Sequence, residues 1–283
     1  MITVLHPSVF IESAEAKHVD TATAYLLVQT GNGFIGFASF QPTEKKVNSW
    51  VLFELEQDIT TSQLEDKLSK IAAAYTWVHT NYQKVVLLQY ASLNVLVPAI
   101  LNSEAGKDQL LQLVHGPQTN HVLVKDIVLQ QSLVNHYAVD ADIASLLNHR
   151  FSKGEWWHVQ SLLLTKTATV EARVTATIIF SEVHITIERN GNWLLLQSYN
   201  YHTPEDVLYY ILNAMQQLDL TQEETTVYLQ GMIDQHSALY DVLHLYILNL
   251  KLKDELKFSF PPATEEHPVH LSASLDQVLV CVS

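Results

Sequence analysis

Four side chains of the kinds that bind metal ions lie close together near the C-terminus: Glu265, Glu266, His267 and His270. Carboxylates and imidazoles are common ligands of divalent metals. Their spacing does not form an HExxH motif, and no CxxC motif is present anywhere in the chain. Residues 261–270 also contain three prolines, which favour an irregular, exposed segment. We therefore interpret this cluster as a solvated loop and expect no metal site.

Short motifs that mark common catalytic centres are also missing from the sequence. There is no Gly-x-Ser-x-Gly nucleophile turn, no Walker phosphate loop and no Rossmann glycine fingerprint. Cys281 is the single cysteine, and nothing near it in the sequence suggests an activated thiol. These motifs therefore assign no catalytic residue.

The composition is that of a compact, acidic protein. Of the 283 residues, 48% are hydrophobic and 16% are charged, which excludes a disordered chain. The formal net charge is −14, from 30 acidic and 16 basic residues. Binding to a nucleic-acid backbone depends on clustered Lys and Arg, so we expect no nucleic-acid partner.

The sequence gives two indications of cellular location. The N-terminal residues 1–15 lack the basic and long apolar regions of a secretory signal, and no apolar run approaches the roughly 20 residues that span a bilayer. A single cysteine cannot form an internal disulfide, which suits a reducing compartment. We expect a cytoplasmic protein with no membrane span.

The elements that would position a functional site begin with a predicted hairpin. Residues 24–30 and 33–40 are rich in strand-forming side chains, and the Asn32-Gly33 pair suits a tight turn between them. A third strand is predicted at 50–56. Thr60 with Gln63, and Ser62 with Glu65, both fit a capping box, and the helix that starts there reaches to about residue 81. A dense apolar strand follows at 84–90.

The second half of the chain repeats this order. Strands are predicted at 173–180, 183–189 and 193–199, with a hairpin turn at Asn190-Gly191. Thr203 followed by Pro204 and two acidic residues marks a helix start, and this helix runs to about residue 218. Residues 225–230 form the next predicted strand, which ends at Gly231.

The two predicted helices share an apolar stripe at an offset of 143 residues (207 − 64). Trp50 and Trp193, each predicted to open the strand before its helix, keep the same offset. Together these features indicate one unit used twice, with lobes at 1–152 and 153–283. The paired helix positions are Leu64 and Val207, Leu68 and Ile211, Ala72 and Met215, and Tyr75 and Leu218.

Several local motifs carry a family resemblance, and they extend over most of the chain: Leu96-Val97-Pro98, Asn135-His136-Tyr137, residues 194–199 with Tyr201, residues 203–210, and Leu229-Gln230-Gly231. With the repeated βββαβ order, they resemble the duplicated ribonuclease-H-like lobes of the actin, Hsp70 and sugar-kinase superfamily. More specifically, they resemble an uncharacterised bacterial domain-of-unknown-function family. The resemblance implies an α/β fold of two tandem ribonuclease-H-like lobes with mixed sheets flanked by helices, the actin-like ATPase fold.

The same resemblance implies where a nucleotide would bind. In active members of the superfamily, the first hairpin turn of each lobe contacts ATP phosphates through N–H groups and hydroxyls, and an acidic residue in each turn helps to hold the hydrated metal. A later loop contacts adenosine. The corresponding candidates, which would line a cleft between the lobes, are Thr30, Gly31, Asn32, Ser181, Glu182, Gly231 and Asp234.

Both turns depart from the superfamily pattern. The first has glycines and a hydroxyl, but no Asp or Glu occurs from residue 24 to residue 40, so Mg²⁺ would lack its usual carboxylate. The second turn contains an acidic residue, Glu182, but no glycine. Gly231 alone stands where the adenosine loop normally has a glycine pair. Each glycine also has a simpler interpretation, as a turn residue or a strand terminator.

Three hypotheses follow. The first is a non-catalytic actin-like scaffold or binding protein with an unknown protein partner, no cofactor and no catalytic residue. The alternative is an ATPase with unorthodox phosphate loops that binds ATP with magnesium. The third, a metal-dependent nuclease, needs several carboxylates on adjacent strands and ranks last because the predicted strands have few. Apolar strand edges also permit a homodimer.

Overall fold

The structure is a computed structural model that describes residues 6–13, 19–56, 59–90, 93–102, 107–117, 119–129, 132–164, 172–262, 264 and 267–283. The chain divides into two compact units. Residues within 1–165, 258–261 and 282–283 form the first unit, and residues within 166–257 and 262–281 form the second.

The first unit contains nine strands and four α-helices among its described residues. They are β1 (Val9–Glu12), β2 (Tyr25–Gly31), β3 (Phe34–Gln41), β4 (Lys46–Glu54), α1 (Thr61–Ala74), β5 (Lys84–Gln89), β6 (Asn94–Pro98), α2 (Lys107–His115), β7 (His121–Val128), β8 (Leu133–Asp140), α3 (Ala141–Arg150), β9 (Gly154–His158) and α4 (Val159–Leu163). Six strands form a mixed sheet in the order β1-β4-β3-β2-β5-β9, and a small antiparallel sheet has the order β6-β8-β7.

The second unit has one mixed sheet and three described helices. Its elements are β10 (Arg173–Ile179), β11 (Glu182–Arg189), β12 (Asn192–Asn200), α5 (Pro204–Gln217), β13 (Thr226–Gly231), α6 (Ala238–Tyr246), β14 (Leu250–Leu252) and α7 (Val269–Val282). The sheet order is β12-β11-β10-β13-β14, with β13 parallel to both β10 and β14.

Both units therefore contain three antiparallel strands, then a helix, then a strand that is parallel to the first of those three. The parallel pairs are β2 with β5 and β10 with β13. Helices α1 and α5 each have 14 residues, and each begins with a capping box, at Thr60 and at Thr203. Apolar side chains three or four positions apart give each helix a buried face against its own sheet. These buried residues are Leu64, Leu68, Ile71 and Ala72 in α1, and Val207, Ile211, Ala214 and Met215 in α5. The predicted α/β class with mixed sheets and flanking helices is confirmed.

The strand before α1 differs from its prediction. β4 begins at Lys46, so Trp50 is its fifth residue, whereas Trp193 is the second residue of β12. The prediction that Trp50 opens its strand is therefore wrong. The preceding residues look polar in sequence, but Asn48 and Ser49 are buried because β4 pairs with strands on both sides.

Two further boundaries differ from their predictions. Helix α1 ends at Ala74 and is followed by a 3₁₀ helix, Thr76–His79, instead of continuing to residue 81. β9 pairs in parallel with β5, so the first unit extends beyond residue 152, where the predicted first lobe ends. In the described part of the chain, no helix is both long enough and apolar enough to cross a membrane.

Candidate functional site

The first predicted phosphate turn is the hairpin between β2 and β3. Gly31 pairs with Phe34 across the hairpin, with Asn32 and Gly33 between them, and Gly33 has a φ of 77°. Asn32 is exposed, and the Gly33 carbonyl oxygen accepts a hydrogen bond of 2.7 Å from the Leu55 N–H. The predicted hairpin and its positive-φ glycine are therefore present.

An aromatic ring fills the space beside Gly31. A Cβ atom at Gly31 would overlap the ring of Phe34, which is 1% exposed and packs edge-on against Tyr90 with ring centroids 5.5 Å apart. In phosphate-binding loops, a glycine serves to let the ligand approach the backbone closely. Here the close approach is made by a side chain of the same hairpin.

The hydroxyl of Thr30 is bound to the neighbouring strand. It donates to Gln89 Oε1 at 2.6 Å, and Thr30 Oγ1 also lies 3.3 Å from the Leu88 carbonyl oxygen. Thr30 is only 8% exposed. Its polar group therefore stabilises the pairing of β2 with β5.

The second predicted phosphate turn connects β10 to β11 through Phe180 and Ser181. Phe180 has a φ of 51°, a conformation in which glycine is the commonest residue. Tyr201 donates hydrogen bonds to both residues of this turn. Its N–H donates to the Ser181 carbonyl oxygen at 2.9 Å, and its hydroxyl donates to the Phe180 carbonyl oxygen at 2.8 Å. The turn carbonyls are thus satisfied within the protein.

This contact gives a first testable prediction. Tyr201→Phe removes the hydroxyl donor and leaves the Phe180 carbonyl oxygen without it, so we expect the free energy of unfolding to fall by about 1 kcal/mol. Urea unfolding followed by circular dichroism measures the loss. Tyr209→Phe is the matched control because Tyr209 is 62% exposed. Equal stability of the two variants would contradict the role of the Tyr201 hydroxyl.

Glu182, the predicted acidic residue of the second turn, is 3% exposed and contacts its own strand. Its Oε2 atom lies 3.3 Å from His184 Nε2, and His184 Nδ1 lies 2.7 Å from Ser198 Oγ. A carboxylate, an imidazole and a hydroxyl in series are the components of a catalytic triad. All three side chains are buried, so this arrangement offers no substrate access to Ser198.

These residues belong to a polar face of the second sheet that sequence reasoning missed. Helix α7 lies against this face: Gln230 Nε2 donates to Thr177 Oγ1 at 2.7 Å and to Gln277 Oε1 at 2.6 Å. The available signal was the alternation along β11, where every second residue is polar. The polar residues of β11 on this face are Glu182, His184, Thr186 and Glu188.

Gly231 and Asp234 lie after β13 in the second unit. A Cβ at Gly231 would overlap the carbonyl oxygen of Ile178, and Gly231 has a φ of 88°. Asp234 is exposed, and its Oδ1 accepts a hydrogen bond of 2.8 Å from the His236 N–H just before α6. Close strand packing accounts for the glycine, and a local turn accounts for the carboxylate.

The C-terminal cluster gives no metal site among the described residues. No group of three or more His, Cys, Asp or Glu in that part of the chain could hold a metal ion. Glu265 and Glu266 lie outside the described residues. His270 Nε2 is 2.8 Å from the Ile233 carbonyl oxygen, and His267 contacts Thr264.

The two similar α/β units define the class of fold, which is the actin-like ATPase fold. The chain is similar to a protein of Bacteroides thetaiotaomicron described as having this fold and unknown function. The TM-score is 0.70 and the identity 18%, over 83% of this chain and 93% of that chain. The chain belongs to the family described as "Protein of unknown function (DUF3822)", which matches residues 14–250. The resemblance predicted from the sequence is confirmed.

Weaker similarities extend to two other solved structures. The PilM-PilN type IV pilus biogenesis complex has a TM-score of 0.49 and 11% identity, over 81% of this chain and 88% of that chain. The cytoplasmic domain of EpsL, an inner membrane component of the type II secretion system of Vibrio cholerae, has a TM-score of 0.43 and 10% identity, over 89% and 95%. No curated protein matches this sequence.

Proposed function

We propose that this protein is a non-catalytic actin-like scaffold or binding protein that has lost the nucleotide site of its fold. In this proposal the two units arose by internal duplication, and the protein works in the cytoplasm without a cofactor. The observation that carries the proposal is the ring of Phe34 against Gly31. It fills the space on the Cβ side of Gly31, and we infer that this closes the first turn to a phosphate.

The polar groups of the candidate site support the same proposal. Thr30 donates to Gln89, Glu182 contacts His184, and the carboxylate of Asp234 accepts a bond from the backbone of its own turn. A bound triphosphate with magnesium needs free donors and at least one free carboxylate. Thr30 and Glu182 are buried in these contacts and would have to leave them before they could bind a nucleotide or its metal.

An exposed apolar surface supports a binding role. On β7, Leu123 and Ile127 lie on one face with Lys125 and are 38% and 55% exposed, while Asp126 and Val128 on the other face are buried. Large exposed apolar groups near each other mark interaction sites in soluble proteins. The exposed apolar residues of this small sheet and its connections are Ile100, Leu101, Leu113, Val114, Val122, Leu123, Ile127 and Leu129.

Calorimetric titration with ATP and with ADP, each with and without Mg²⁺, tests the lost nucleotide site. We expect no saturable binding. A dissociation constant of about 1 mM or tighter corresponds to roughly 4 kcal/mol of specific interaction and would favour the ATPase alternative. Phe34→Leu serves as a comparison, because a smaller apolar side chain reduces the cover of Gly31 without adding a ligand group.

The binding role is tested with Leu123→Ser and Ile127→Ser together. We expect the double variant to lose a protein partner captured from native cells, or to lose self-association in sedimentation experiments if the partner is a second copy. Tyr209→Ser and Leu245→Ser form the control, since both residues are exposed and lie in the second unit. Retention of every partner by the β7 variant would contradict a role for this surface.

A further inference from the structure

The third of the three antiparallel strands differs between the two units in what lies on its outer side. In the first unit β1 pairs antiparallel with this strand, β4, and the Ser8 N–H donates to the Leu52 carbonyl oxygen at 2.7 Å. In the second unit the corresponding strand, β12, pairs with β11 and ends the sheet formed by the described strands. The first unit therefore shows that an edge of this kind accepts an antiparallel strand.

The backbone of β12 points its N–H and C=O groups outward at alternate residues. The Tyr201 N–H donates to the Ser181 carbonyl oxygen, so the residues two, four and six positions earlier also point these groups at β11. Leu196 and Ser198 lie between those residues and point theirs away from β11. Ser198 corresponds to Leu52 of the first unit, because each pairs with the third residue of the preceding strand. The outward carbonyl oxygen of Leu52 is the one that accepts the bond from the segment of β1.

The regular part of this edge is short and has a defined midpoint. At one end, the register between β11 and β12 shifts and leaves Leu194 as a bulge. At the other end, the Tyr210 hydroxyl donates to the Asn200 carbonyl oxygen at 3.3 Å. Residues 195–199 lie between these two features, and Gln197 is in the middle of them. Its side chain is exposed, so the midpoint of the edge is open to solvent.

This edge lacks the residues that usually prevent strands from pairing between molecules. Edge strands are commonly protected by Pro or by a charged side chain, especially Lys. Residues 190–203 contain no Pro, Asp, Glu, Lys or Arg, although the chain as a whole has a net charge of −14. A partner recognised by its charge would find no counter-charge on this strand. A second copy of the same acidic chain, in contrast, meets no like charge within the contact.

The order of side chains along β12 suits pairing of this strand with itself. When two antiparallel copies are aligned at Gln197, Leu195 of each copy lies opposite Tyr199 of the other, and Leu196 lies opposite Ser198. Leu195 and Tyr199 are half-buried at the border of the core under α5, so each new pair adds apolar cover in both copies. Leu196 and Ser198 exchange backbone hydrogen bonds, and the two glutamine amides meet on the twofold axis.

We propose that the protein forms a twofold dimer in which β12 of one copy pairs antiparallel with β12 of a second copy, centred on Gln197. The sheets of the two second units then form one continuous sheet. This inference goes beyond the proposed function, because it names a second copy as a partner and assigns the strand that binds it. It depends neither on the loss of the nucleotide site nor on the β7 surface. Since the paired segment is short, the dimer dissociates at low concentration.

Sedimentation equilibrium of the full chain measures this dimer. We expect the mass to rise from the 32.0 kDa of one chain towards twice that value as the concentration is raised to about 200 µM. Gln197→Lys places two like charges opposite each other on the axis, and so does Gln197→Glu, so each variant alone should dimerise at least about tenfold more weakly. An equimolar mixture of the two variants should dimerise again, because opposite charges then face each other. Gln197 is exposed, so both variants should fold as the wild type does.

Gln235→Lys is the matched control for the charge variants. Gln235 is exposed and follows β13, which two strands separate from β12, so this variant should dimerise as the wild type does. A cross-link then tests the register. In a Cys281→Ser background, Gln197→Cys should form a covalent dimer on mild oxidation, because directly opposed residues have Cα atoms about 4.5 Å apart, within the range of a disulfide. Gln235→Cys in the same background should form none.

The proposal is overturned if the wild-type chain stays monomeric at about 200 µM. It is also overturned if Gln197→Lys dimerises as well as Gln235→Lys, or if the mixture of the two Gln197 charge variants does not recover the dimer. A dimer that is lost in the Leu123→Ser, Ile127→Ser variant but kept in Gln197→Lys would place the contact on β7 instead. A monomeric wild type leaves the nucleotide titration unaffected, so failure of this inference and failure of the proposed function are distinguishable.

Discussion

Gly231→Ala should lower the free energy of unfolding by roughly 3–5 kcal/mol, a large effect for a single methyl group. The new Cβ would overlap the carbonyl oxygen of Ile178 and lie 3.1 Å from the nitrogen and carbonyl carbon of the same residue. That oxygen also accepts a hydrogen bond of 2.7 Å from the Met232 N–H. Relieving the overlap means separating β13 from β10 in the middle of the second sheet, because all of these atoms are backbone atoms.

Gly191→Ala is the matched control for this prediction. Gly191 has a φ of 74°, close to the 88° of Gly231, but nothing lies within 4 Å of a Cβ built there. It should therefore show only the backbone cost of a left-handed residue, about 1–2 kcal/mol. Urea unfolding of both variants by circular dichroism measures the difference. A Gly231→Ala protein as stable as Gly191→Ala would show that the strands separate without cost.

The second large effect concerns the pH dependence of stability through Asp126, which is 5% exposed on β7. Burial raises the pKa of its carboxyl group from 3.8 to about 6, against hydrogen bonds from Ser161, the His158 N–H and Tyr137 that lower it. The His158 N–H donates to Oδ2 at 2.8 Å, and the Tyr137 hydroxyl donates to Oδ1 at 3.1 Å.

The direction of this pKa shift determines whether stability rises or falls with pH. Between pH 3.8 and about 6, the unfolded chain has lost the Asp126 proton while the folded chain retains it, so stability falls as the pH rises through this window. Above pH 6, the loss in the free energy of unfolding relative to pH values below 3.8 approaches about 3 kcal/mol. Asp126→Asn cannot titrate. We therefore expect the stability difference between wild type and Asp126→Asn to shift by about 2 kcal/mol, most of that change, in favour of the variant, from pH 4 to pH 7.

Asp66→Asn is the control, since the Asp66 side chain is 62% exposed on α1 and pairs with Lys70 in a surface contact. Its stability difference from wild type should stay nearly constant with pH, because exposed pairs contribute little. Unfolding in urea at closely spaced pH values provides the curves. Parallel curves for wild type and Asp126→Asn would show that the buried carboxyl group does not titrate in this window.

The helices and hairpins could be predicted because local signals determine them. Thr203 has the capping chemistry that starts a helix, and α5 begins there as predicted. Helix α1 begins at the Thr60 cap, the first of its two candidate capping boxes. The start of β4 could not be predicted in this way. Asn48 and Ser49 read as loop residues, and only pairing with β1 and β3 brings them into the sheet.

The candidate site illustrates a different limit. The glycines of the first turn could be found in the sequence, but whether Gly31 faces a ligand or a side chain depends on how Phe34 packs, which is a tertiary contact. The burial of Ser39 and Ser49 is a similar case. These two residues are ten apart in sequence and lie side by side only because β3 and β4 pair in one particular register.

The segment Phe258–Pro261 groups with the first unit although it follows most of the second in sequence. The ring of Phe258 packs edge-on against Phe40 with centroids 5.9 Å apart, and Ser259 exchanges backbone hydrogen bonds with Lys45 and Val47. N-terminal parts of a chain generally fold first during synthesis on the ribosome. Phe40 of the first unit therefore stays uncovered by Phe258 until the residues near 260 have been synthesised. A recombinant fragment cut at residue 165 would leave that aromatic surface open, so this unit is not separable by simple truncation.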